Sequence, residues 1–187
     1  AIHTLMEIIG GFQTSVRKAL GEIDPNFEKY RGLVICGRHA PDKKTAEEEI
    51  LRMEEARLSG IPTLGICWGL QVMMIEYARH VWKIKDATSE ELEPESASPI
   101  IIKLPQLRVG IRDVGGRMES HWHNYKIQEL SSLETDFIVI RSEGIVEQMR
   151  LKSHPFYVGT QFHPEYQSSV DKPHPLLADF LRICNAA

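Results

Sequence analysis

The sequence predicts an α/β fold of three αβα layers around a mostly parallel sheet. Short, continuously apolar runs recur, as in Gly32-Leu33-Val34-Ile35-Cys36-Gly37 and Thr63-Leu64-Gly65-Ile66, and such runs suit strands covered on both faces. Helical patterns alternate with them. A sharp glycine-bracketed turn, Gly65-Ile66-Cys67-Trp68-Gly69, joins one strand directly to a long apolar segment.

Taken in order, residues 5–12 read as a first strand ending in a glycine turn, with Thr14 or Ser15 capping a helix that runs to residue 20. Gly10-Gly11 leads into neither phosphate-loop pattern, G-x-x-x-x-G-K-[ST] or G-x-G-x-x-G. After the strand at 32–37, Thr45-Ala46-Glu47-Glu48 reads as a capping box opening a helix that stops at Gly60. Residues 63–66 form the next strand, and residues 70–82 are apolar enough for a helix buried against a sheet. The stretch 86–99 is an acidic loop. Residues 99–104 and 107–112 read as two strands, Gly115-Gly116 as a turn, and 121–127 as extended. Strands follow at 137–141, 144–151 and 156–162, and an amphipathic helix over 175–183 closes the fold.

The 187 residues read as one domain, 1–187, and the start at Ala1 fits a chain shortened at its N-terminus. Apolar content of 42% and charged content of 26% are those of a soluble globular protein. A net charge of −4 gives no basis for a nucleic-acid or membrane partner. Three widely spaced cysteines, Cys36, Cys67 and Cys184, argue against a disulfide framework and for a reducing, cytoplasmic setting.

Chemistry concentrates at two places. Cys67 sits where a strand turns into a helix, the nucleophile-elbow arrangement with sulfur in place of a hydroxyl. Gly65 and Gly69 let backbones approach there, the helix N-terminus favours a thiolate, and the Trp68 N–H is placed to stabilise an oxyanion. Late in the chain, His163-Pro164-Glu165 puts a carboxylate two residues from an imidazole, on one side of an extended backbone. Glu165 then orients His163, whose other nitrogen takes a proton from a thiol. Each motif alone has a plainer reading, an inert buried cysteine and a surface turn; the pair in one α/β chain points to acyl transfer. His121 and His123 would face one side of a strand, but no acidic or thiol ligand lies at partner spacing, so no metal is expected.

Gly65-Ile66-Cys67-Trp68-Gly69-Leu70-Gln71 together with Phe162-His163-Pro164-Glu165 resembles the class I (triad) glutamine amidotransferases, which have a flavodoxin-like core, and within them the glutaminase domain of CTP synthases. Residues 65–78, 106–112 and 153–165, followed by His174-Pro175-Leu176, carry the likeness, which extends from residue 33 to 182. It implies that Cys67 attacks the side-chain amide of glutamine, that His163 moves the proton and that Glu165 orients His163. It further implies an oxyanion hole at Trp68, Gly37 and Arg38, and glutamine-holding positions at Gln71, Glu91, Asn124 and Tyr125. No cofactor is implied. The partners would be glutamine and an ammonia-accepting synthase, within pyrimidine biosynthesis.

The sequence departs from the family pattern at two places. Where the family reads Pro-Gly-Gly-Phe-Gly, this chain has Cys36-Gly37-Arg38-His39-Ala40, and where it reads His-Arg-His-Arg-Tyr-Glu-Val, this chain has His121-Trp122-His123-Asn124-Tyr125-Lys126-Ile127. The synthase domain and its phosphate loop are missing from the sequence. Two further readings therefore stand beside a glutaminase: a γ-glutamyl peptide hydrolase of the same fold, and a weakly active or inactive relative that binds a partner.

Overall fold

The structure, a computed structural model, describes residues 31–39 and 42–186. The strand expected at 5–12, the helix after it and Gly10-Gly11 lie outside the described residues. In chain order the strands are β1 (Leu33–Ile35), β2 (Thr63–Ile66), β3 (Thr88–Ser89), β4 (Pro99–Val114), β5 (Arg117–Ile127), β6 (Phe137–Ser142), β7 (Ile145–Leu151) and β8 (Tyr157–Thr160). The helices are α1 (Lys43–Leu58), α2 (Trp68–His80), α3 (Leu133–Asp136) and α4 (Pro175–Ala186).

One sheet has the order β1-β2-β8-β7-β6. The pairs β1–β2 and β2–β8 are parallel, while β7 and β6 run antiparallel to their neighbours. Alternation along β2 and β8 sorts the core into two faces. Leu64, Ile66 and Val158 meet Leu177, Phe180 and Cys184 of α4. On the other face Ile50 and Met53 of α1 and Leu70, Met73 and Met74 of α2 join Tyr157. These are the three layers expected. Helix α2 is buried from Trp68 to Ala78, as its apolar sequence requires.

Buried Glu76 ties α2 to its surroundings. It accepts from Arg57 Nε at 3.0 Å, Arg57 Nη2 at 2.7 Å and the Tyr157 hydroxyl at 3.1 Å. Burial and the Glu76 carboxylate together hold the Tyr157 phenol well above its ordinary range.

Three local expectations are corrected. Helix α1 starts at Lys43, with Asp42 as the cap accepting from the Thr45 N–H at 2.9 Å and from its hydroxyl at 2.6 Å. Thr45 is therefore a partner of the cap, because Asp42 is an equally good capping residue one turn earlier. Residues 99–104 and 107–112 belong to one long strand, β4, whose register against β5 shifts between Lys103 and Arg108. Pro105, which has no N–H for the ladder, lies inside that irregularity. Helix α2 begins at Trp68 and ends at His80, so Trp82 lies beyond it and donates its indole N–H to Asp136 at 2.8 Å. No described helix is long and apolar enough to cross a membrane.

Candidate active site

Cys67 links β2 to α2 with φ 54° and ψ −100°, a left-handed conformation that L-residues rarely adopt. Strain of this kind persists only where surrounding contacts hold it, and it clusters at functional sites. Here the Cys67 N–H donates to the Thr160 carbonyl at 2.7 Å, and its own carbonyl accepts from Leu70 and Gln71 in the first turn of α2. The flanking glycines are sterically required. A Cβ at Gly65 would lie 2.5 Å from the Gly69 oxygen, and one at Gly69 would lie 2.1 Å from the Ile35 oxygen. Trp68 occupies the first helical position, whose N–H has no partner within the helix.

His163 follows β8. Its backbone N–H bonds the Ser120 carbonyl at 2.8 Å, which fixes it to β5. Its Nδ1 lies 2.7 Å from Glu165 Oε1, and its Nε2 is buried with no hydrogen bond of ordinary geometry among the described residues. The contact is the expected one, but the backbone is not: His163 has φ −107° and ψ 88°, and Glu165 lies in a 3₁₀ turn, Pro164–Gln167. The ring of Tyr166 stacks on that of His163 at 4.5 Å between centroids and 6° between planes. Burial pulls the His163 pKa down, but the interactions with Cys67 and Glu165 outweigh it and raise the value to about 10. Both partners therefore favour the protonated form of the imidazole, so a proton arriving at its Nε2 is held beside the sulfur.

Gly37 spans the pair from β1. A Cβ there would meet His163 Cε1 at 2.9 Å, Cys67 Cβ at 3.2 Å and His163 Nε2 at 3.7 Å, so the Cys67 side chain and the imidazole flank one point. Arg38 turns away from it, with Nη2 3.3 Å from Glu49 Oε1. Glu49 also accepts the Trp68 indole N–H at 2.6 Å. The non-glycine residues with positive φ among the described ones are Cys67, Lys83 and Glu143, so Arg38 does not need the special angles a glycine would supply.

Three of the other expected residues, Gln71, Glu91 and Tyr125, are linked through their surroundings. Gln71 Oε1 accepts from the Ser89 hydroxyl at 3.3 Å, and the same hydroxyl accepts the Glu91 N–H at 3.1 Å. Tyr125 lies opposite Lys103 on the ribbon, and burial, with Glu91 and Glu90 nearby, raises its phenol pKa. Asn124 is its half-buried neighbour on β5.

The spacing of sequence motifs missed a buried network. His121 Nε2 lies 3.0 Å from Glu147 Oε2, and Arg108 Nη2 donates to Glu147 Oε1 at 2.9 Å. His121 Nδ1 faces the Glu119 carbonyl and His123 Nδ1 the Tyr125 carbonyl, at 3.0 and 2.8 Å. His121 and His123 do share a side, and β7 supplies the acidic neighbour. That carboxylate is already paired with a guanidinium. Also missed were two groups at the sulfur itself, the Trp122 carbonyl and the Gln161 amide.

The strained thiol at a strand–helix turn, the carboxylate-oriented imidazole and the three-layer fold define a class. The model of the class I glutamine amidotransferases matches residues 11–183, and the chain belongs to that family. Within it, the chain is similar to curated CTP synthases. It is 35% identical over 182 residues to that of Picosynechococcus sp., covering 81% of this chain and 32% of the relative. It is 36% identical over 182 residues to that of Dehalococcoides mccartyi, covering 81% and 33%. The chain thus spans about a third of the length of these relatives. Among solved structures, the Trypanosoma brucei CTPS glutaminase domain with bound acivicin superposes with a TM-score of 0.81 at 20% identity, covering 99% of this chain and 85% of that one. A glutamine amido transferase from Methylobacillus flagellatus gives 0.56 at 15% identity, covering 87% and 64%. Both share the fold.

Proposed function

We propose that this domain hydrolyses glutamine to glutamate and ammonia through a thioester on Cys67. The Cys67 proton passes to His163 Nε2, and the thiolate attacks the side-chain amide carbon. Electron density moves onto the amide oxygen, which the Trp68 N–H and the Gly37–Arg38 backbone stabilise. Collapse breaks the C–N bond, and the imidazolium returns its proton to the departing ammonia. A water then repeats the sequence against the thioester and releases glutamate. Glu165 keeps the His163 tautomer and charge in place throughout. Gln71, Glu91, Asn124 and Tyr125 hold the amino-acid end of the substrate, with the Glu91 carboxylate on its ammonium.

The single observation that carries this reading is the convergence of Cys67 and His163 on the point above Gly37, with Glu165 2.7 Å behind the imidazole. The likeness to CTP synthases supports ammonia transfer to a synthase partner in the cytoplasm. The test is to incubate the purified domain with glutamine, ATP, magnesium and UTP and to follow glutamate and CTP separately. Glutamate without CTP is expected. CTP from the domain alone would overturn the reading of its content. Release of glutamate from γ-glutamyl peptides but not from glutamine would identify the γ-glutamyl hydrolase. No glutamate from either substrate, even with a synthase added, would identify a partner-binding relative.

A further inference from the structure

Among the described residues, two groups other than His163 touch the Cys67 sulfur. The Trp122 carbonyl lies 3.8 Å from it, and the side-chain Nε2 of Gln161 lies 3.7 Å from it. Their demands are opposite. A carbonyl oxygen is served by the S–H of a neutral thiol and repels a thiolate. An amide N–H is served by sulfur lone pairs, most strongly when the sulfur carries charge. When the proton leaves for His163, the contact with Trp122 loses its donor and the one with Gln161 gains strength.

Gln161 is fully buried, and its backbone N–H is fixed to the Glu147 carbonyl at 2.8 Å. Its Oε1 is buried without a hydrogen-bond partner among the described residues. The reverse orientation of the amide would set oxygen lone pairs against sulfur lone pairs. A buried acceptor left without a donor is costly and calls for an explanation. The explanation here is that the other end of the amide is committed to the sulfur. Once that proton has moved, the charged groups facing Cys67 among the described residues are the His163 imidazolium and, behind it, the Glu165 carboxylate; Gln161 adds a neutral donor from just beyond β8 without competing for the proton.

We propose that Gln161 is a further catalytic residue, whose side-chain amide donates to the Cys67 thiolate and holds it in position for attack. This rests on the thiol chemistry proposed above, yet it is read without turnover. The probe is iodoacetamide, with alkylation of Cys67 followed by peptide mass spectrometry from about pH 5 to about pH 10. In Gln161→Met, which keeps the volume and removes the donor, the pH of half-maximal alkylation should rise by about one unit, a roughly tenfold loss of thiolate below the midpoint. In Gln161→Glu, which sets a carboxylate against the sulfur, it should rise further. Glutamate release should show a fall in kcat of about tenfold with KM little changed.

An unmoved midpoint in the folded variants would reduce Gln161 to a space-filling residue, and a lowered midpoint would mean that the amide oxygen faces the sulfur. Either result overturns the proposal. If Gln161→Met does not fold, Gln161→Leu, which also removes the donor without adding charge, carries the test. Shifted midpoints in a protein that releases no glutamate would leave this inference standing and remove the glutaminase reading. Unshifted midpoints in an active glutaminase would do the reverse.

Discussion

Replacing Gly37 with alanine inserts one methyl group between Cys67 and the His163 imidazole. The added carbon would sit 2.9 Å from His163 Cε1 and 3.2 Å from Cys67 Cβ. Carbon atoms pack comfortably at about 3.5–4.0 Å, so the overlap with the imidazole is roughly 0.6 Å or more. Cys67 is locked by its bond to Thr160 and by the first turn of α2, so the imidazole or the Gly37 loop has to give. A 1 Å misplacement costs up to about a hundredfold in rate, which puts the expected loss in kcat/KM at roughly ten- to a hundredfold. Gly37 is not among the described glycines with positive φ, so no backbone strain is added. Overpacking costs about 1 kcal/mol at the low end, a fall in Tm of about 2–4 °C for a chain of this size. Glutamate release, Cys67 alkylation and thermal unfolding read the three effects separately. Full activity with unchanged alkylation in Gly37→Ala would refute the claim that this loop spans the catalytic pair.

Cys67→Ala and His163→Ala should each abolish glutamate release, while Glu165→Ala retains a measurable fraction, because nucleophile and base act as one unit and the carboxylate orients; equal losses in steady-state kinetics would contradict the assignment. Glu76→Leu should destabilise the fold by about 3–5 kcal/mol in urea unfolding, since it strands the part-buried Arg57 guanidinium and the buried Tyr157 hydroxyl. A loss below about 1 kcal/mol would show that the carboxylate is not the anchor of α2. Stability should also depend on pH in two windows. His163, raised to about 10, binds its proton more tightly folded than unfolded, so its contribution is full below 6.5 and is lost as pH rises through about 10. His123, pulled by burial to about 4, makes the unfolded state the better proton binder, so stability falls as pH drops from 6.5 toward 4. Urea unfolding across pH should show a flattened alkaline limb in His163→Gln and a flattened acid limb in His123→Gln; limbs that match the parent protein would refute the pairing of residue and window.

The elbow was legible because its requirement is local. Two glycines around a cysteine, between a four-residue apolar run and a long apolar segment, leave few other backbones, and β2 falls on Thr63–Ile66 as read. The layers were legible too, since strand and helix periods differ. What escaped the sequence depends on long-range partners or on near-equal local choices. Asp42 and Thr45 are both good caps, and side-chain geometry rather than composition decides between them. Glu147 reaches His121 across 26 positions, so ligand spacing could not reveal it. Gln161 stood in plain view within the run that ends in His163-Pro164-Glu165. Its role appears only when β8 is laid beside β2, 94 positions earlier, which brings its amide to the sulfur. An extended backbone predicts the His163–Glu165 contact, which is made instead from a 3₁₀ turn. Two residues in close sequence can meet by more than one local geometry.

The most direct test of the account is where a glutamine-analogue electrophile reacts. Burial, with Glu165 and Glu49 nearby, pushes the Cys36 thiol up to about 12, and burial pushes Cys184 up to about 11, so neither is a thiolate near neutral pH. Peptide mass spectrometry after brief exposure should find one adduct, on Cys67, suppressed by excess glutamine and absent in His163→Ala. An adduct on Cys36 or Cys184, or one on Cys67 that glutamine does not suppress, would contradict the assignment of this site to glutamine.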